Sequence, residues 1–369
     1  MKGELSARQV GIFCFFTMLA NKILIFPSLV YQEAKNSAII TIIISFLIEI
    51  LFLYIFIKLK EKYINKSLFD ILSEKIGVFL TKLIYFLLFL IFIMQLAFLV
   101  QEKFDYLKDH IFEEASIIRF FLVIFPIATA LVYRGATAFG RTSEFYYFFI
   151  LTGFIICIVL GLSSLPEFSL PNYTNVHLSN IFTAGYKYFF WFSDFYFFII
   201  LLDKIKAENG FGRQIFKFVW LSAALLVIFY FAYYSIYSTT AFMHRSALSD
   251  LTQFLSKFSS VEKLNIVAIL TMSFICIFQA SIYMMCMLEC AKKIFPKPND
   301  VQYLIIINIL AAILSYYAYI NNEIYIGVLT NYVGLAAIAL SIILCTIFIF
   351  LLIFDKKIKK RRKNEKIYS

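Results

Sequence analysis

Ten long, nearly uninterrupted apolar runs dominate the chain, near residues 10–31, 37–58, 79–100, 116–134, 145–165, 183–203, 216–239, 264–288, 301–320 and 327–353. Each is close to the ~20 residues that a helix needs to cross the hydrocarbon core of a bilayer. In that core every backbone donor and acceptor must be satisfied, which leaves helices or closed barrels as spanning structures. Barrel strands alternate apolar and polar side chains, and these runs do not. The chain is therefore predicted to be an all-α membrane protein with about ten transmembrane helices. Of its 369 residues 62% are apolar and 15% charged, so what is left after ten spans divides among short loops and tails. A soluble catalytic domain of ordinary size does not fit there, and the apolar content excludes a disordered chain.

The net charge of +11 marks topology. With the N-terminus inside, the inner segments hold 25 Lys and Arg residues and the outer ones seven, with Lys22 and Lys187 inside spans. Positive charge is retained on the cytoplasmic side, so both termini are predicted to be cytoplasmic. The tail, 355–369, contains the run Lys356–Lys363 and is expected to lie against anionic lipid headgroups; this run is a membrane anchor and not a nucleic-acid patch. Met18 stands where a signal peptidase wants a small residue, and the apolar run resumes at Ile23, so the first run reads as an uncleaved span. Segment 65–77 is predicted to be an amphipathic cytoplasmic helix: Leu68, Ile71, Leu72 and Ile76 recur at helical spacing and Gly77 fits the stop. The whole of 1–369 reads as one polytopic domain with this linker helix and the basic tail.

No enzyme, cofactor or metal site is visible. The six cysteines fall in or at the ends of spans, away from any ligand set, and the three histidines fall in predicted outer loops. The G-x-S-x-G, H-E-x-x-H, Walker A and G-x-G-x-x-G patterns are absent from the sequence.

The informative residues are the charges at membrane depth, which cost about 2.5–3.5 kcal/mol each on the insertion scale. Lys22, Glu49 and Asp194 lie near the middle of their spans. In span 1, Asn21-Lys22-Ile23 precedes Pro27, which removes a backbone donor and clashes with the carbonyl one turn earlier. An interrupted helix of this kind lines a substrate site in many transporters; a plain proline kink is the other reading. In span 6, Phe192-Ser193-Asp194 puts an acid at the depth of Lys22. If the two spans are neighbours, Lys22 and Asp194 can pair, either as a static ion pair or as the recognition unit for the carboxylate and ammonium of a small zwitterion. Glu49, with Ser45 one turn before it, reads as a helix-packing group or, with Asp194, as a proton- or ion-coupling acid. Gln95, Gln279, Asn308 and Asn331 read as interhelical hydrogen-bonding groups. Lys187 is expected to snorkel to the outer headgroups. Tyr230, Tyr233, Tyr234 and Tyr237 share one helix face, expected to serve packing and the interfacial girdle.

Several stretches resemble the endospore germination permeases, the B subunits of nutrient germinant receptors and relatives of the amino acid–polyamine–organocation transporters. They are Leu5-Ser6-Ala7-Arg8-Gln9 with span 1 ending Ile25-Phe26-Pro27; Tyr63 to Leu72 with Gly77 and Lys82; and Leu170-Pro171-Asn172-Tyr173 through Phe182 and Gly185. Two positions depart from that pattern. Asn65 stands where the family usually has Pro, and Ser193-Asp194 stands where it often has Gly-Glu, so the acid is kept and the glycine is lost.

The resemblance implies a transporter-like inverted five-plus-five repeat, with spans 1 and 6 broken around a central pocket. It implies a nutrient germinant receptor subunit in the spore inner membrane that binds a small nutrient such as an amino acid, with Asn21, Lys22, Ile23, Phe192, Ser193 and Asp194 as the ligand-binding set. The implied partners are the A and C subunits of the receptor, alongside membrane lipid and the nutrient. An active secondary transporter of amino acids or polyamines is the alternative. An intramembrane enzyme lacks a nucleophile–base set, and a rigid scaffold is compatible with the low count of 12 glycines.

Overall fold

The computed structural model describes residues 4–64, 66–110, 114–163, 176–208, 210–256 and 265–365. Among these residues the secondary structure is helical, apart from a single parallel bridge between Leu5 and Ile205. Seven helical stretches are long and apolar enough to cross a bilayer, and two shorter apolar helices, Ala7–Ala20 and Ile117–Tyr133, accompany them.

Span 1 is two helices, α1 (Ala7–Ala20) and α2 (Phe26–Ala34). Ser6 and Gln9 close a reciprocal capping box at the start of α1, satisfying two of the amides a helix start leaves free. Pro27 stands in the first turn of α2, where a missing N–H costs no intrahelical bond. The proline therefore starts a second helix and does not merely kink the first. Then follow α3 (Ala38–Lys62), the short α4 (Leu68–Ile76), α5 (Val78–His110), α6 (Ile117–Tyr133) and α7 (Ala136–Ser163). Helix α4 has its own capping box from Ser67 and Asp70, buries Leu68, Ile71 and Leu72, and turns into α5 through Gly77 at φ 85°.

Span 6 is broken more thoroughly. Helix α8 (Leu178–Lys187) gives way to a 3₁₀ turn at Phe189–Phe192, a one-turn helix α9 (Tyr196–Ile200) and another 3₁₀ turn at Leu202–Lys204. The loss of glycine at Ser193 has not prevented the unwinding. The rest is α10 (Phe211–Tyr237), α11 (Ala247–Ser256), α12 (Asn265–Ile294), α13 (Asp300–Ile320), α14 (Asn322–Val328), a π turn at Leu329–Val333 and α15 (Gly334–Glu365). Residue Asn65 and the Leu170–Tyr173 stretch lie outside the described residues.

The broken spans form the centre. Helix α1 packs against α10, α12 and α7, and α5 packs along α12 and α13. Large apolar side chains of α3, α6, α13 and α15 stay exposed on the outer rim, as lipid-facing surfaces require. Close approach inside the bundle needs glycine at Gly153 of α7, where a Cβ would stand 2.0 Å from Thr271 Oγ1 of α12.

The end at which α1 starts is tied to span 6 through main-chain bonds. Leu5 N–H donates to Lys204 O at 2.6 Å and Lys206 N–H donates to Leu5 O at 2.9 Å. This tethers the start of span 1 to the exit of span 6.

Candidate functional site

Unwinding span 1 at Asn21–Ile25 frees carbonyls and amides deep in the protein, and several of them bond to side chains and main chain of other helices. The Lys103 ammonium donates to Ala20 O at 2.6 Å, and Glu102 Oε1 accepts from Ile25 N–H at 3.1 Å. Neighbouring residues of α5 thus finish both broken ends, the cation at the carbonyl end of α1 and the carboxylate at the amide end of α2, as helix dipoles favour. Glu102 and Lys103 also pair with each other at 2.8 Å. Tyr230 OH donates to Lys22 O at 2.6 Å and Tyr234 OH to Pro27 O at 2.7 Å. The amides of Leu248 and Ala247 donate to Ile23 O and Leu24 O.

The second break faces the first. Ser193 Oγ donates to Phe190 O at 2.7 Å and accepts from Gln95 Nε2 at 3.0 Å, holding the backbone where the helix stops. The next residue, Asp194, meets Lys22: Nζ lies 2.7 Å from Oδ2. Tyr283 OH donates to the other oxygen, Oδ1, at 2.6 Å. Tyr283 in turn accepts from Gln279 Nε2 at 2.5 Å and Asn21 Nδ2 at 3.1 Å. Glu49 joins more loosely, with Oε1 3.6 Å from Lys22 Nζ, and the Phe192 ring centroid is 5.2 Å from the same nitrogen.

Five of the six residues expected to bind ligand bring a side chain to this cluster: Asn21, Lys22, Phe192, Ser193 and Asp194. Ile23 contributes only its carbonyl, already bonded to Leu248, and its side chain is core. Glu49 is brought in as well, away from Ser45, which bonds its own helix at Thr41 O. Gln95 and Gln279 belong to the cluster, whereas Asn308 bonds Thr129 elsewhere and Asn331 is exposed.

Lys22 has no solvent exposure at all. The space beside Glu49, lined by Cys14, Thr17 and Phe195 among others, measures about 10 Å³, room for at most one water. The centre is therefore filled by protein in this conformation. Four buried acceptors of the cluster keep no partner: Asn21 Oδ1, Glu49 Oε2, Gln95 Oε1 and Gln279 Oε1. One ammonium serves two carboxyl groups, so the site has capacity for one further positive charge or proton.

Lys187, expected to snorkel outward, pairs with Glu33 at the far end of α2. Two other placements differ from the expectation. The tyrosine face of α10 is not a membrane girdle: Tyr230, Tyr233 and Tyr234 are buried, and their hydroxyls clamp backbone carbonyls at Lys22, Ala241 and Pro27. Glu102 and Lys103, which lie just beyond the apolar run 79–100, are buried at the break. Their signal lay in Phe104, Tyr106 and Leu107, which carry an apolar helical pattern past residue 100.

A family model described as "Spore germination protein" matches residues 4–323. No curated protein matches. Among solved structures, the substrate-bound outward-open state of a Na⁺-coupled sialic acid symporter superposes with a TM-score of 0.64 at 12% identity, over 90% of this chain and 78% of that one. At that identity the likeness concerns the fold, a transporter-type bundle with interrupted spans.

Proposed function

Since the chain belongs to the spore germination protein family, we propose that it is the membrane-embedded subunit of a nutrient germinant receptor, sensing a small nutrient at the paired helix breaks. The observation that carries this reading is the 2.7 Å pair between Lys22 and Asp194. It joins the two broken spans through the two charges that a free amino acid would need at its own ends. A bound zwitterion would take Lys22 with its carboxylate and Asp194 with its ammonium. The chain would then exchange one internal ion pair for two ligand contacts, and the two breaks would separate by the width of the ligand. Asn21, Ile23, Phe192 and Ser193 frame that position. The movement would be handed to the A and C subunits of the receptor in the spore inner membrane. The excess of Lys and Arg on the segments at the terminal end supports a cytoplasmic placement of both termini.

The test is made in the spore. Replacing the gene with an Asp194→Asn version, or deleting it, is expected to abolish germination on one class of nutrient and leave the other classes intact. Normal germination on every nutrient after deletion would overturn the reading.

A second reading, active secondary transport, is favoured by Glu49. Its loose contact with Lys22 and its unpartnered Oε2 suit an acid that takes up and releases a proton as the Lys22–Asp194 pair opens. Vesicles containing the purified chain would then accumulate a labelled amino acid or polyamine under a proton gradient, and Glu49→Gln would stop the accumulation. Absence of accumulation with every amino acid and polyamine removes this reading and leaves the receptor reading in place.

A further inference from the structure

A second cavity lies at the end of the molecule opposite the start of α1. There α5 runs about ten residues beyond the length needed to cross a bilayer, reaching His110, and its last turns line a cavity of about 250 Å³. The cavity starts at Leu24 and Ile25 in the break of span 1 and is closed across from α5 by Arg245, Ser246, Tyr319 and Asn322. Phe98 lies between it and the central cluster. Its ring packs on Trp191 at 5.4 Å, Trp191 packs on Phe26 at 5.8 Å, and Phe26 meets Phe192, the ring beside Lys22, at 5.5 Å. The two sites are therefore separate compartments divided by aromatic side chains.

The charges around this cavity divide by what already holds them. Glu102 is committed to Lys103 and to Ile25 N–H. Lys108 is engaged by the Tyr319 hydroxyl at 3.0 Å and lies over its ring. Among the described residues Asp105 accepts from Gln101, its neighbour one turn earlier, and from no other side chain. Asp109 and Arg245 form no ion pair among the described residues. Gln101 is 2% exposed, lines the cavity and keeps Oε1 without a partner, a costly state for a buried amide oxygen. The spare capacity is thus a row of acceptors on α5, Gln101 Oε1, Asp105 and Asp109, facing a spare cation, Arg245. With Glu102 and Lys103 cancelling, two acids face two bases, and a net-neutral guest that carries both signs matches the site.

We propose that this cavity binds a free α-amino acid, with its ammonium held by Asp105, Asp109 and Gln101 Oε1 and its carboxylate held by Arg245. An ammonium carries three donors and satisfies three acceptors at once, while a guanidinium presents the paired donors that suit a carboxylate. The volume is near the lower limit of ordinary ligand pockets, which selects a small side chain. The site goes beyond the central reading and does not depend on it.

The test uses the full chain in lipid nanodiscs. Melting temperature and calorimetric affinity are measured with each of the twenty free L-amino acids, and with the amide and N-acetyl derivative of every one that binds. At least one free amino acid is expected to raise the melting temperature by mass action. Its amide and N-acetyl forms, each lacking one charge, are expected to bind about tenfold or more weakly, and Arg245→Gln and Asp105→Asn to cause losses of the same size, as charge-assisted bonds imply. Each measurement is repeated in the Asp194→Asn background, which separates binding at the central ion pair from binding at this cavity. Arg245 is exposed, so its variant keeps the test sound if Asp105→Asn fails to fold. The proposal is overturned if none of the twenty binds, or if binding survives both outer substitutions. It is equally overturned if Asp194→Asn alone abolishes binding, an outcome that would support the central site.

Discussion

The ammonium of Lys103 lies 2.6 Å from the carbonyl oxygen of Ala20, so a side chain from α5 completes the end of a helix it does not belong to. The adjacent Glu102 completes the start of the next helix through Ile25. Removing Lys103 as Lys103→Met leaves the buried Glu102 carboxylate without its cation and the Ala20 carbonyl without its donor. We expect a loss of about 3–5 kcal/mol, the usual result of breaking one side of a buried ion pair. The double variant Lys103→Met with Glu102→Leu should recover part of that loss, because the stranded charge is gone. Melting in detergent, compared across the three proteins, reads this directly.

In the central cluster one ammonium serves two acids at unequal distances, 2.7 Å to Asp194 and 3.6 Å to Glu49. The order of damage follows. Lys22→Met strands both carboxyl groups and is expected to be worst; Asp194→Asn leaves Lys22 with Glu49 and is intermediate. Glu49→Gln removes a charge whose second oxygen has no partner and is expected to cost less than about 1 kcal/mol or to stabilise. A Glu49→Gln protein that melts below Asp194→Asn would contradict this order.

Tyr283 donates to Asp194 while accepting from both Gln279 and Asn21. Tyr283→Phe keeps the ring and deletes all three bonds, leaving buried amides unsatisfied. About 1–3 kcal/mol should be lost. In a double-mutant cycle with Asp194→Asn, the two changes should couple and not add.

Gly153 of α7 gives α12 its close approach, since a Cβ there would stand 2.0 Å from Thr271 Oγ1. Gly153→Ala should destabilise by about 1–3 kcal/mol through overpacking. Adding Thr271→Ala removes the clashing oxygen and should restore most of the loss, which a helix-propensity explanation does not foresee.

Outside the membrane, Asp70 caps α4. Burial pushes its carboxyl up, but hydrogen bonds from the Ser67 hydroxyl and amide, with Lys293 and Lys66 nearby, outweigh burial and hold it below its ordinary value of 3.8. A carboxyl lowered in the folded state stabilises above its unfolded pKa and loses that contribution as pH falls through the folded one. The melting difference between the native chain and Asp70→Asn should therefore be constant from neutral pH down to about 4 and should narrow below that. A difference that widens on acidification would contradict the sign.

The ten spans are legible because a bilayer dictates both their length and their apolar content, whatever they pack against. The Lys22–Asp194 contact is legible for a related reason: charges at membrane depth need partners, and few were available. The rest depends on tertiary packing. Nothing in the aromatic run Phe189–Phe192 breaks a helix, and the unwinding there is held by Ser193 and by Gln95 from another span. The four tyrosines of α10 share a face by their spacing, but spacing does not say that the face meets the carbonyls of a broken helix. Glu102 and Lys103 sit beyond an apolar run and resemble loop charges until α12 and α13 are seen to carry α5 past them.

Spans 1 and 6 are fastened to each other at three levels, by the main-chain bridge of Leu5 with Lys204 and Lys206, by the ion pair of Lys22 with Asp194 and by that of Glu33 with Lys187. A joint with one pin swings, and a joint pinned at both ends and the middle does not. While these fastenings hold, the interrupted helices have to travel as one piece against the surrounding bundle. Spectroscopic labels placed across the outer boundary of that piece would report the motion, and labels between its two halves would stay silent until the pins are drawn.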